Sequence, residues 1–322
     1  MNKQIILPLL ILSSQIASAQ LVTESFGSGA NAFSMGFVKI GNPGNAADTT
    51  GAPNPVGAVA YTYQIGKYEV SRDMIIKANS AGGLGITLTD MTSYGGNGAN
   101  RPATGVSWNE AARFVNWLNT SKGYQAAYNF TTSGANDNIT LWGAGQYSGS
   151  NQYRHKDAYY FLPTEDEWYK AAYGSPSGTW YNFPNGSDSA PTAVASGTTE
   201  GTAVYEQDFF AGPADITNAG GLSPYGTMAQ GGNAMEWNET AFDGSNDSAS
   251  ENRVLRGGAW TPVSALLNAS DRINYGPSYE DFIRGFRVAS VPEPGSASLV
   301  MLGLAAVLAR RRRRAGFPED RS

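Results

Sequence analysis

The sequence contains no cysteine and one histidine, His155. Without thiols there is no disulfide framework, no thiolate nucleophile and no thiolate metal site. A single histidine cannot supply a three-histidine metal triad or a multi-histidine iron centre. Ser-His-Asp catalysis would rest on His155 alone, and nothing in Tyr153-Arg154-His155-Lys156-Asp157 marks a serine partner. His155 reads as an exposed loop histidine. Positive charge is scarce once the ends are set aside. They hold seven of the 22 basic and three of the 27 acidic residues, leaving 15 against 24, a net charge of −9. Such a surface repels phosphate backbones, which argues against nucleic acid as a partner; divalent cations and neutral glycans are compatible.

What is present lies partly at the ends. Lys3 precedes an apolar run from Ile5 to Leu12, and Ala17-Ser18-Ala19 follows. A basic start, a short apolar stretch and a small-x-small site predict a signal peptide over residues 1–19, removed by signal peptidase. At the other end, Pro292-Glu293-Pro294 leads into the apolar residues 296–309 and then five arginines, 310–314. As a helix the apolar stretch would span about 21 Å, against a hydrocarbon core of about 30 Å. It suits transient membrane insertion with the arginines cytoplasmic, which leaves residues 20–290 on the far side.

Between the ends, 39 glycines predict many turns and little long helix. The 7 Trp, 17 Tyr and 13 Phe supply core area from few positions. Residues 37–41 read as a strand, 60–70 as a strand or hairpin, and 71–78 as a short helix. Ser107-Trp108-Asn109-Glu110 and Thr164-Glu165-Asp166-Glu167 are capping boxes that open helices. Ala111, Phe114, Val115 and Leu118 form the buried stripe of the first, and Trp168, Ala171 and Ala172 the inner face of the second. Residues 80–104, 120–158 and 174–224 read as loops around a small core. No tandem repeat and no linker divides residues 21–290.

Five segments occur in one order. They are Tyr68-Glu69-Val70; Gly105-Val106-Ser107-Trp108-Asn109-Glu110-Ala111; Phe161-Leu162-Pro163-Thr164-Glu165-Asp166-Glu167-Trp168; Gly231-Gly232-Asn233-Ala234-Met235-Glu236-Trp237; and Arg256-Gly257-Gly258-Ala259-Trp260, followed by Arg284-Gly285-Phe286-Arg287-Val288. Taken alone, the two glycines after Arg256 imply close backbone approach or positive φ. Trp237, Trp260 and Phe286 read as core anchors. Some of Arg256, Arg284 and Arg287 are expected to bond buried carbonyls or Glu165.

Together the segments resemble the sulfatase-modifying-factor, formylglycine-generating-enzyme-like domain, over roughly residues 35–290. The resemblance implies an α+β, C-type-lectin-like fold with few helices and much loop. It also implies a calcium site from the carbonyls of Gly232 and Ala234 and the side chain of Glu236. The side-chain donor expected three residues earlier is replaced by Ala229, and the alternative is a Glu bonding backbone N–H groups in a tight loop. In the family a cysteine pair after the Gly-Gly motif binds copper. Here Pro262 and Leu267 stand about where those cysteines would be, so copper-dependent formylglycine formation is unavailable.

The C-terminal region, residues 291–314, resembles a PEP-CTERM sorting signal. That implies cutting by exosortase near Pro292-Glu293-Pro294 and delivery to the envelope surface or an extracellular matrix. The combined expectation is an exported, non-catalytic binding domain whose ligand is a polysaccharide or a surface protein. The loops near 80–100, 125–155 and 262–282 are its expected contact surfaces. One alternative is a divergent, thiol-independent enzyme using Glu165, Glu236 and Asp271; another is a structural matrix component.

Overall fold

The computed structural model describes residues 21–291, apart from 133, 135 and 262. The expected signal peptide, the tail from Pro292 onward and Pro262 lie outside the described residues. In chain order the strands are β1 (Leu21–Phe26), β2 (Phe33–Ile40), β3 (Tyr63–Gly66), β4 (Tyr160–Phe161), β5 (Thr192–Ala193), β6 (Thr202–Ala203), β7 (Met235–Ala241), β8 (Arg253–Arg256), β9 (Ile273–Tyr275), β10 (Arg284–Phe286) and β11 (Ala289–Ser290). The helices are α1 (Arg72–Gly82), α2 (Trp108–Ser121) and α3 (Glu165–Tyr173).

One sheet has the order β1-β2-β3-β11-β4, a second β10-β7-β8-β9, and β5 pairs with β6. The first begins at Leu21, ahead of residue 35. Its last strand in sequence, β11, sits between β3 and β4, antiparallel to both. In the second sheet β10 runs parallel to β7 and sets Phe286 opposite Trp237.

The helices start where side chains satisfy free N–H groups. Ser107 accepts from Glu110 N–H while the Glu110 carboxylate accepts from Ser107 N–H, and Thr164 and Glu167 repeat the arrangement in α3. Ser71 caps α1 and Gly83, at φ 62°, ends it, so this helix runs past the expected residue 78. Ala111, Phe114, Val115 and Leu118 are buried as the stripe requires, as are Trp168, Ala171 and Ala172. Trp108, Phe114, Trp237 and Phe286 share one core with Phe26, Phe37 and Tyr160.

The expected strand or hairpin over 60–70 reduces to β3, because the chain turns at Gly66. Beyond it, Val70 N–H donates to the Phe286 carbonyl rather than extending a ladder.

Candidate functional site

The motif residues converge on a buried polar framework. Arg287 comes from the end of β10, Glu236 from β7 and Trp168 from α3. Arg287 Nε and Nη2 donate to Glu236 at 2.6 and 2.5 Å, and Trp168 Nε1 donates to the same carboxylate at 2.6 Å. Arg287 also donates to the Gly66 and Met228 carbonyls at 2.9 and 2.8 Å. Beside this pair, Glu69 accepts from Asn233 Nδ2 at 2.6 Å and from Ala234 N–H at 3.0 Å. Burial first, then the nearby Glu236 charge, hold the Glu69 carboxyl well above the usual carboxylate range, against the opposing pull of Arg287.

A second node lies on α3. Glu165 accepts from Arg256 Nε at 2.8 Å and from Arg272 Nε and Nη2 at 2.9 and 2.8 Å. Arg256 also bonds the Ala269 and Asp271 carbonyls, and that of Ala52. Arg284 pairs with Asp281 at 3.3 Å, its guanidinium 3.7 Å from the Tyr275 ring. The expectation of buried carbonyls or Glu165 holds for Arg256, which bonds both, and for Arg287, which bonds carbonyls and adds Glu236.

The other motif positions are structural. Trp108 Nε1 and Trp237 Nε1 donate to the Asn238 and Val106 carbonyls, each at 2.9 Å. Gly257 has φ 93°, and a Cβ there would stand 2.7 Å from the Gln230 carbonyl oxygen. At Gly258 a Cβ would meet Leu267 at 2.8 Å. Gly285 and Phe286 continue β10 under the same core.

The expected calcium ligands do not fit this arrangement. Both Glu236 oxygens already accept from Arg287 or Trp168, and the guanidinium beside them opposes a divalent cation. Gly232 and Ala234 are buried, and Ala229 lies in an apolar cluster with Met91, Val204 and Met228. Glu236 is thus a partner of Arg287 and Trp168. Glu165 is similarly held, by Arg256 and Arg272.

The region after Trp260 carries a different surface. Leu267, at one of the two thiol-equivalent positions, is fully buried beside Ala203 and Tyr205. Trp260 is buried too, with Nε1 donating to the Phe209 carbonyl at 3.2 Å. Around it the rings of Phe282 and Tyr94 stack at 4.5 Å and 10°, and those of Tyr94 and Phe210 at 6.2 Å and 6°. Phe209 packs edge-on against Tyr94 and Phe282, at 5.3 and 5.2 Å. Phe210 is 65 % exposed, Phe209 40 % and Val263 46 %.

Polar groups border these rings. Asp208 caps the turn at Phe210, and Asp90 accepts from Thr92 and Asn97. Those hydrogen bonds, the Thr92 hydroxyl first, lower the exposed Asp90 carboxyl to about 2.

Residues 32–291 match the Sulfatase-modifying factor enzyme 1-like domain. The chain belongs to that family. Residues 290–314 match the PEP-CTERM protein-sorting motif, which directs export to the envelope surface or extracellular space and implies processing by exosortase. No curated protein matches the sequence.

Among solved structures, Treponema denticola variable protein 1 is similar at 19 % identity and TM-score 0.58, covering 84 % of this chain and 99 % of that one. CarF is similar at 16 % identity and TM-score 0.55, over 80 % and 98 %. PvdO from Pseudomonas aeruginosa is similar at 17 % and 0.52, over 84 % and 98 %. These likenesses establish the C-type-lectin-like fold of the family.

Of the three loop regions expected to form contacts, two meet in this sulfatase-modifying-factor domain: Tyr94 comes from the first and Phe282 from the end of the third. The middle region instead borders a separate cavity of about 230 Å³, lined by Tyr61, Asn151, Arg154, His155, Lys156 and Val291 among others. His155, expected as an exposed loop residue, is half-buried there, its ring 4.7 Å from that of Trp142. Phe209 and Phe210 were missed, although two adjacent aromatics in an otherwise Gly- and Thr-rich stretch are a readable signal.

Proposed function

We propose that this exported domain is a non-catalytic binding module whose ligand is a neutral polysaccharide of the cell surface. The observation that carries the reading is the near-parallel column of Phe282, Tyr94 and Phe210, with Phe210 65 % exposed, beside the segment where the family's thiol pair would sit. A solvent-facing ring that is already part of a packed column is an apolar platform of low conformational entropy. It suits the apolar face of a sugar ring. The carboxylates of Asp90 and Asp208 and the amide of Asn97 supply polar groups at its edge. Their negative charge, with that of the whole domain, disfavours polyanionic glycans.

The test is a glycan array and a pull-down of native envelope polysaccharide, run with wild-type protein and with Phe210→Ala. Retention of neutral glycans by wild type, reduced in the variant, supports the reading. Blank results with folded protein, or recovery of a surface protein alone, contradict it.

A further inference from the structure

Helix α2 carries a second stripe besides the one it buries. Arg113, Asn116, Trp117 and Thr120 fall at i, i+3, i+4 and i+7, so they share one face of the helix. None of the four is buried. Together with the end of α1 and the loop segment 126–130, they line an open cavity of about 450 Å³. Small-molecule sites occupy about 300–1,000 Å³.

The walls of this cavity are held by their own contacts. The Asn116 amide donates to the Tyr128 carbonyl at 2.7 Å and accepts from Tyr128 N–H at 2.8 Å, which ties the loop to the helix. Trp142 Nε1 donates to the Ala127 carbonyl at 2.9 Å, and its ring stands edge-on to His155. The Trp117 ring stacks on Phe33 at 5.8 Å and 25°. Its indole edge passes over Gly82, where a Cβ would stand 2.7 Å from Nε1, so glycine makes room for this ring position. Arg113 lies 4.0 Å over Phe130, donates to the Thr132 carbonyl at 3.2 Å and pairs with Asp137 at 3.6 Å. The half-buried rings of Trp117, Phe130 and Trp142 are thereby fixed before a ligand arrives.

The polar groups select among ligands. Arg113 is the ionised side chain among the lining residues, and Asp137 offsets it. The Asn129 amide and Trp117 Nε1 have no hydrogen-bond partner among the described residues. An amide offers two donors and an acceptor, and an indole one donor. A carboxylate or phosphate would find no uncompensated cation here. A wholly apolar ligand would take water from the Asn129 amide and leave its bonds unmade, which is costly. Ring faces beside uncharged donors and acceptors match a ligand with apolar C–H faces and hydroxyl edges.

We propose that this cavity is a second glycan site, which takes a short segment of neutral oligosaccharide against Trp117, Phe130 and Trp142 with Asn129 bonding its hydroxyls. The proposal shares its ligand class with the polysaccharide reading but not its residues: none of Tyr94, Phe209, Phe210 or Phe282 lines this cavity. With two separate sites, one domain holds the polymer with an avidity above that of either site alone.

The test is isothermal titration calorimetry with short oligosaccharides made by partial hydrolysis of the neutral envelope polysaccharide. Wild type should bind two per chain. Phe210→Ala should weaken one site and leave the other unchanged, and Asn129→Ala or Trp142→Ala should weaken that other site roughly tenfold. Asn129→Ala removes a partly exposed amide and no ring, so the result does not hang on the folding of Trp142→Ala. A single site that Phe210→Ala weakens, or sites that both Asn129→Ala and Trp142→Ala leave unchanged, overturn the proposal. A single site that Asn129→Ala weakens and Phe210→Ala does not overturns the reading of the aromatic column and supports this one. Absence of binding by wild type overturns both.

Discussion

Arg287 and Glu236 hold each other in the interior with neither side chain exposed to solvent. Removing one partner leaves the other charge buried and uncompensated. Arg287→Ala should therefore lower unfolding stability by roughly 3–5 kcal/mol in urea titrations. Because both Glu236 oxygens are occupied, adding calcium or a chelator should leave the unfolding midpoint of wild type unchanged.

Glu69 adds a pH dependence of definite sign. Its folded-state carboxyl titrates above the ordinary value of 4.5. Below that value both folded and unfolded chains hold the proton. As pH rises the unfolded chain releases it first, so the stability from this group declines until the folded-state value is passed. Glu69→Gln keeps an acceptor for Ala234 N–H and removes the titration. Its unfolding midpoint should fall less than that of wild type as pH rises from about 4.5.

At this scale the sequence told part of the story. It marked Arg256, Arg284 and Arg287 for buried carbonyls or Glu165, since a buried arginine needs an acceptor. It could not show that Arg287 meets Glu236, because parallel pairing of β10 with β7 brings together residues far apart in the chain.

At the scale of elements, the three helices rest on their caps. Ser107→Ala and Thr164→Ala should each cost about 1 kcal/mol, measured by thermal or urea unfolding. Helices α2 and α3 were legible because a capping box and a 3.6-residue stripe are local signals. Of the strands, β2 and β3 were legible in part, from the segments 37–41 and 60–70, and the short ones were not. Strands β4, β5, β6 and β11 have two residues each, and β9 and β10 three, too few to establish an alternation. Their positions are set by tertiary hydrogen bonds and by glycines such as Gly257, whose positive φ and contact with Gln230 leave no room for a side chain.

At the scale of the whole molecule, the scaffold of the sulfatase-modifying-factor family is kept, and after its Arg-Gly-Gly motif Leu267 is buried while aromatic rings gather around Trp260. The ordered motifs made the family legible, because each is a packing constraint written in adjacent residues. The aromatic column was half legible. Tyr94 and Phe282 lie in loops read as contact surfaces, but the stacking of Tyr94 with Phe210 and with Phe282 joins residues more than a hundred positions apart.

The sorting motif directs the domain to the envelope surface or extracellular space, and the ligand proposed for it there is a neutral polysaccharide. The most direct test is a pair of binding isotherms against purified neutral envelope polysaccharide, for wild type and for Phe210→Ala. Phe210 is largely exposed, so the variant should keep the wild-type unfolding midpoint. The account predicts affinity weakened roughly tenfold, equivalent to about 1.4 kcal/mol. Equal affinity of the two proteins, or no binding by wild type, would contradict it.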